Sequence, residues 1–347
     1  MTDLAEPIGS TGSAPALGAD PVALFETHRR ALTGYCYRML GTLHEAEDAV
    51  QETMVRAWRS VDRLDGPAAV KPWLYRIATN VCLTMLGGRR RRALPMDLVG
   101  ASSGNVRPGA PLPEATWIQP VPDARVLSGA APGGEVDPAD LTVERESIRL
   151  AFVAALQHLP ARQRAVLILR DVLRWRAAEV AELLDTTVVS VNSALRRART
   201  SIAERCGAGG APGRHPELAD PERQAMLERY VDAFERFDVD RLVALLHEDV
   251  TMAMPPHDLW LQGRDAIVRF FTVAAPGCRR HRFLPAPGGA NGSPAFGLYA
   301  PTGPGGAYEP FGVQVVELAG EHVAGIHAFL DPALFPLFGL PETLPRR

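Results

Sequence analysis

The chain has 347 residues, length enough for two or three domains with cores of their own, and a formal net charge of −3. Affinity for nucleic acid can therefore come only from local clusters of arginine, Lys71 being the sole lysine. The cysteines, Cys36, Cys82, Cys206 and Cys278, have no paired spacing, which excludes a zinc site and a disulfide framework and points to a reducing, cytoplasmic setting.

Residues 1–20 are rich in Gly, Ala, Ser and Pro and lack the basic start and apolar core of a signal peptide, so they read as a disordered tail. No later run is apolar enough to span a bilayer, and no membrane partner is expected. From 21 to 40, Val22, Phe25, Leu32, Tyr35, Cys36 and Met39 form a helical stripe. A second helix follows over 43–61. Ala46, Ala49, Val50, Thr53, Met54, Ala57, Trp58 and Val61 give it an apolar face, and Thr42 with Glu45 forms a capping box at its start. Asp48, Gln51 and Glu52 lie off that stripe, an acidic and amide patch open to a partner.

After the Asp65-Gly66-Pro67 turn a third helix opens at Pro72 and buries Trp73, Leu74, Ile77, Ala78, Val81, Cys82 and Met85, leaving Arg76 and Asn80 on a shared exposed side. Arg89, Arg90, Arg91 and Arg92 then follow in succession, a phosphate-binding signature. The stretches Asp48-Ala49-Val50-Gln51-Glu52-Thr53 and Trp73 to Leu83, with the arginine run behind them, resemble region 2 of bacterial extracytoplasmic-function sigma factors. The resemblance implies that Asp48, Gln51 and Glu52 dock on the clamp helices of the RNA polymerase β′ subunit. Arg76, Asn80 and Arg89 to Arg92 would then face the promoter −10 element.

From 93 to 140 periodicity gives way to Pro, Gly, Ser and Ala, a linker of a length that compact domains rarely contain. Trp117 and Ile118 form an apolar island within it, either a docking point for a partner or a staple onto the chain's own surface. The helical pattern returns over 141–206. A helix ends at Leu184, a tight turn follows, and Thr187 caps a second helix whose Val188, Val191 and Leu195 face inward. This is a helix-turn-helix, and Ser190, Asn192, Ser193, Arg196, Arg197 and Arg199 on its second helix suit base edges and phosphates in a major groove. The segment is similar to region 4 of the same family, which implies contact with −35 DNA and the polymerase β-flap. Where the family usually has Gly, Asp185 stands, and it can take the left-handed conformation at some cost.

A second Gly/Pro linker spans 207–219, and 220–347 reads as three helices followed by strands at Arg282–Pro285, 295–299, 308–318 and 322–330, a cone-shaped α+β plan with an antiparallel sheet. Glu248-Asp249-Val250, Gly263-Arg264-Asp265 and Phe338-Gly339-Leu340-Pro341 resemble the SnoaL-like branch of the nuclear-transport-factor-2-like (NTF2-like) superfamily. Such cones can hold a small ligand, for which His257, Trp260, Tyr299, Tyr308 and His327 are the candidates here. The nine histidines lack metal-ligand spacing, so neither metal nor cofactor is expected. The whole is expected to be two all-α sigma domains plus this cone, a non-enzymatic specificity subunit of core RNA polymerase modulated by its last domain. An NTF2-like cyclase or isomerase, and a helix-turn-helix regulator independent of polymerase, stand as the alternatives.

Overall fold

The structure, a computed structural model, describes residues 21–64, 66–127, 138–206, 221–274, 280–303 and 306–345. The expected tail 1–20, the linker 207–219 and Cys278 lie outside the described residues. The first domain consists of α1 (Pro21–Glu26), α2 (Arg29–Leu40), α3 (Leu43–Arg59) and α4 (Val70–Leu86). Thr42 caps α3 by accepting the Glu45 amide at 3.4 Å. The other half of the expected capping box is replaced, because the Glu45 carboxylate turns to Arg89 and Arg92 instead. Ala46, Ala49, Val50, Thr53 and Ala57 are buried and let α3 lie close on its neighbours. Trp58 departs from the expected stripe and is 62% exposed: one position past Ala57, it turns away from the helices that cover that face. Cys36 and Cys82 are buried free thiols, and the hydrogen bond to Cys82, together with burial, pushes the Cys36 thiol up.

Residues 93–127 are a linker in composition but have a defined path, and 128–137 lie outside the described residues. Ala93 and Trp117 pair as a parallel bridge, so the chain leaves and returns at one place, and the residues between cross to the last domain. There Ser102 N donates to Trp260 O at 2.9 Å and Leu112 N to Pro256 O at 2.8 Å. These borrowed bonds satisfy a backbone that has few internal partners of its own. Trp117 is 3% exposed and Ile118 fully buried, so the apolar island is a staple onto the protein itself. A short α5 (Asp123–Val126) then packs on α2, where Gly34 admits the Val126 carbonyl.

The second helical domain holds α6 (Pro138–Glu146), α7 (Leu150–Gln157), α8 (Ala161–Leu167), a π-turn at Ile168–Val172, α9 (Ala177–Leu183) and α10 (Val188–Cys206). It sits directly on the first domain: the rings of Tyr75 and Trp175 are 5.2 Å apart. Across the seam lies a buried polar network. Arg38 donates to Ser147 Oγ at 2.7 and 2.9 Å and to Glu144 O at 3.2 Å; Arg164 donates to Met39 O and, at 2.6 Å, to Gln157 Oε1. Burial lowers both guanidinium pKa values to about 10, which leaves them charged at neutral pH.

The third domain begins with α11 (Pro221–Glu235) and α12 (Val239–Leu245). They are followed by β1 (Leu246–Ala253), β2 (Trp260–Gln262), α13 (Arg264–Arg269), β3 (Arg282–Pro285), β4 (Ala295–Pro301), β5 (Tyr308–Ala319) and β6 (His322–Phe329). The sheet order is β2-β1-β6-β5-β4-β3. It is mixed where an antiparallel sheet was expected, because β1 runs parallel to β6. Helices cover one face, and Tyr230, Phe234, Phe271, Phe283 and Phe296 pack between them and the sheet with ring separations of 4.7–6.5 Å. The other face, bearing Ala295, Tyr299, Val313, Val315 and Phe329, belongs to the same buried cluster as the helical domains.

Candidate functional site

Asp48, Gln51 and Glu52 are all exposed on α3, as their spacing predicts. Asp48 pairs with His44 at 3.8 Å, and Glu52 pairs along the helix with Arg56 at 2.6 Å. The pattern missed part of this surface. Val55, 37% exposed, and Trp58 lie at helical spacing from Gln51, so the patch continues as an apolar ridge flanked by acid. Such a face suits docking against another helix pair better than a solvated surface does.

Arg76 and Asn80 are exposed one turn apart on α4, and Thr84 extends the row, its hydroxyl donating to Asn80 O at 2.9 Å. The arginine run divides by role. Arg92 bonds Glu45 at 2.9 Å, Trp117 O at 2.9 Å and Glu114 O at 3.2 Å, with 13% of its side chain exposed. It therefore holds the feet of the linker excursion in this structure. Arg89 pairs with Glu45 and Arg91 with His158 Nδ1 at 2.8 Å, both still solvent-facing. Arg90 makes no ion pair or hydrogen bond among the described residues and is the most available to a phosphate.

In the helix-turn-helix, Asp185 takes φ 50°, supplying the left-handed turn without glycine. Thr187 Oγ1 accepts the Ser190 amide at 3.1 Å and so caps α10. Val191, Leu195 and Ala198 face inward; Ser190, Asn192, Arg196, Arg197 and Arg199 are exposed, and Ser193 is half-buried. Val188 is 41% exposed rather than inward, because at the first turn it precedes the contact with α9. With Val189, 75% exposed, it leaves methyl groups open to solvent at the start of α10. Arg199 is bridged to Asp171 at 2.7 and 2.9 Å, whereas Arg196 and Arg197 make no ion pair among the described residues.

The five candidate pocket residues do not converge. His257 Nδ1 lies 2.8 Å from Gly109 O, and Trp260 Nε1 donates to Val99 O at 2.8 Å, so both hold the linker. Tyr299 donates to Pro341 O at 2.8 Å on the face away from the aromatic interior, and Tyr308 pairs by backbone with Leu344. His327, 3% exposed, is opposite Val315 on that same outer face, 3.8 Å from Glu317. A groove of about 420 Å³ beside α11, edged by Glu228, Asp232, Glu235 and Arg282, includes none of the five. Among the described residues no three His, Cys, Asp or Glu side chains stand together as a metal site, and no helix is long and apolar enough to cross a membrane.

Sequence reasoning missed a junction in which all parts of the chain meet. Asn291, in the turn between β3 and β4, is fully buried with φ 52°. Its Nδ2 donates to Tyr37 Oη at 2.7 Å and Ile148 O at 2.6 Å, and its Oδ1 accepts the Val121 amide at 2.9 Å. Next to it Asp123 Oδ1 accepts the Gly292 amide at 2.8 Å. Burial pushes the Asp123 carboxyl from 3.8 up to about 7, against the opposing effects of the Gly292 amide bond and, less, of Arg145; Tyr37 lies near it too, and residues 286–293 carry no titratable side chain. Because the folded value exceeds the unfolded one, the contribution to stability is complete below pH 4 and is lost as pH rises through 7. Asp123→Asn, which cannot ionise, is expected to raise the melting temperature at pH 8, by about 1–2 kcal/mol of stability, and to flatten its dependence between pH 4 and 7. Parallel thermal melts of both proteins check this, and an unchanged pH profile would remove Asp123 from the junction's energetics.

A basic helix-turn-helix, a helical domain with an exposed, acid-flanked apolar face and an α+β cone define a three-part transcription factor. Residues 24–92 match the family description "Sigma-70 region 2", residues 149–202 "Sigma-70, region 4" and residues 227–326 "SnoaL-like domain". The chain is 44% identical over 323 residues to the ECF RNA polymerase sigma factor SigG of Mycobacterium tuberculosis, covering 92% of this chain and 83% of that one. It is 29% identical over 256 residues to SigJ of the same species, 72% and 71% of the two chains. The crystal structure of SigJ superposes with a TM-score of 0.57 at 24% identity, over 92% of this chain and all of the other, and so shares the fold. The chain belongs to the extracytoplasmic-function (ECF) RNA polymerase sigma factors.

Proposed function

We propose that this protein docks on the β′ clamp helices of core RNA polymerase through Asp48, Gln51, Glu52, Val55 and Trp58. It places Arg76, Asn80 and the solvent-facing Arg89, Arg90 and Arg91 on −10 DNA and the exposed face of α10 on −35 DNA, beside the β-flap. The observation that carries this is the pair of exposed surfaces, one acid-flanked and apolar, one rich in guanidinium, standing on two domains of a sigma factor. With the loop over 62–70, the first domain would capture a −10 base drawn from the opening duplex, at a cost of a few kcal/mol offset by phosphate contacts. Its last domain modulates this activity from within, since fusion keeps it at high effective concentration beside the other two. This reading assigns His257, Trp260 and Tyr299 no ligand, because their polar atoms bond the linker and the C-terminal backbone.

Titration into core polymerase, followed by transcription from a template with −10 and −35 elements, tests the reading; absence of binding would refute it. Within α10, Arg196→Ala is expected to weaken promoter binding and to lower the slope of log affinity against log salt by about one phosphate contact. Arg199→Ala should do less to that slope, since Arg199 is already bridged to Asp171. Equal salt slopes for the two variants would overturn the assignment.

A further inference from the structure

We propose that Val189 selects thymine in the −35 element, its methyl groups packing on the thymine C5-methyl at the outer tip of α10. The inference rests on the proposed placement of α10 on −35 DNA and names a base which that helix reads. Val191, Leu195 and Ala198 are buried and fix the inner direction of α10. Two residues before Val191, Val189 projects roughly 160° away from it at about 100° of turn per residue. It shares an outward row with Arg196 and Thr200, both exposed, and Ser193 lies between them. Val189 is 75% exposed and Val188 beside it 41%, so two aliphatic side chains open a helix whose outer face is otherwise polar and basic.

The polar side chains of the first turn are already engaged. Thr187 Oγ1 accepts the Ser190 amide at 3.1 Å and donates to Ser190 Oγ at 3.0 Å, so both hydroxyls serve the cap. Val189, between them, has no hydrogen bond to offer a phosphate or a polar base edge. In the major groove its chemical match is the C5-methyl of thymine, which neither cytosine nor a purine presents. An apolar protein surface fits this end of the helix less well. Arg196 and Arg197 stand exposed on the same helix and make no ion pair among the described residues; an apolar cover would desolvate them, whereas DNA brings phosphates to them. Val189 and Arg196 are seven positions apart. For a helix lying along the groove that is about 10 Å of rise, or about three base pairs, so the selected thymine lies about that far from the contact of Arg196.

The test uses the full chain assembled with core polymerase, which enriches duplexes carrying a randomised −35 segment upstream of a fixed −10 element. In the enriched sequence each thymine is then replaced singly by deoxyuridine, which removes the C5-methyl and nothing else. One such replacement is expected to weaken binding by the parent protein about fourfold, the factor that burial of one methyl group supplies. Val189→Ser is expected to bind the thymine duplex more weakly by a similar factor and to be indifferent to that deoxyuridine, so the two changes are not additive. The side chain is exposed, and thermal melts of the variant check that its fold is kept. A parent protein that enriches a −35 sequence yet tolerates deoxyuridine at every thymine would overturn the proposal while leaving α10 on DNA. A sensitive thymine whose effect survives Val189→Ser would remove Val189 from the readout. Weaker binding of Val189→Ser to core polymerase itself, with no change on DNA, would assign the valine to a protein contact and overturn the proposal too. If the parent binds no core polymerase or enriches no −35 sequence, the function proposed above fails, and this inference falls with it.

Discussion

Arg164→Ala is expected to destabilise the protein by about 3–5 kcal/mol and to uncouple the two helical domains. Arg164 is 4% exposed, and among the described residues no carboxylate bridges to it. Its charge is held only by neutral acceptors: Met39 O, Gln157 Oε1 at 2.6 Å, Gln157 O at 3.1 Å and Leu159 O at 3.3 Å. Truncation removes a desolvated cation, which by itself is favourable, but it strands three carbonyls and an amide oxygen in a seam closed to water. Those orphaned acceptors outweigh the gain. Gln157 would be loosened as well, since its Nε2 reaches Val153 O at 3.2 Å and Arg38 O at 3.4 Å on the far side. Urea unfolding followed by tryptophan fluorescence should show a lower midpoint and a second transition as the domains unfold separately. A loss below 1 kcal/mol with one cooperative transition would mean that the seam does not depend on this guanidinium.

Sequence periodicity was most reliable where a helix or strand buries one face against its nearest neighbours. The acid and amide triad on α3, the cap at Thr187 and the β3 strand at Arg282–Pro285 all follow from local pattern and local chemistry. Errors arose where burial is decided by a distant part of the chain. Trp58 fits the apolar period of α3 but meets no covering helix, so it is exposed. Trp117, set in a polar tract, is buried because its bridge partner lies 24 positions earlier, at Ala93. His327 and Tyr299 have residue types suited to a pocket, yet strand parity turns them to the face that packs outward. Asn291 gave no signal of function, since Asn-Gly between two strands reads as an ordinary turn. Its importance comes from three bonds to residues 143 or more positions away in sequence, counted by the separations for Tyr37, Ile148 and Val121. No window of local sequence contains such information.

Asp48→Arg is expected to lower affinity for core polymerase at least about a hundredfold while leaving the fold intact. The side chain is 57% exposed, and its nearest partner is the imidazole of His44 at 3.8 Å, so the substitution breaks no buried contact; stability should change by no more than about 0.5 kcal/mol. At a docked interface the same change puts a cation where the partner was matched to an anion, and like charges brought together cost several kcal/mol. Trp58→Ala tests the other half of the face. Loss of an exposed indole at the centre of a docking ridge should reduce affinity about tenfold or more, with little effect on the slope against salt. Asp48→Arg should change that slope, because its effect is electrostatic. Neither variant touches α10, so both should retain wild-type binding to −35 duplex by the helix-turn-helix at low salt. Loss of polymerase binding with retained duplex binding distinguishes a sigma factor from a self-sufficient DNA-binding regulator. In such a regulator, reversing a charge on α3 would change neither activity.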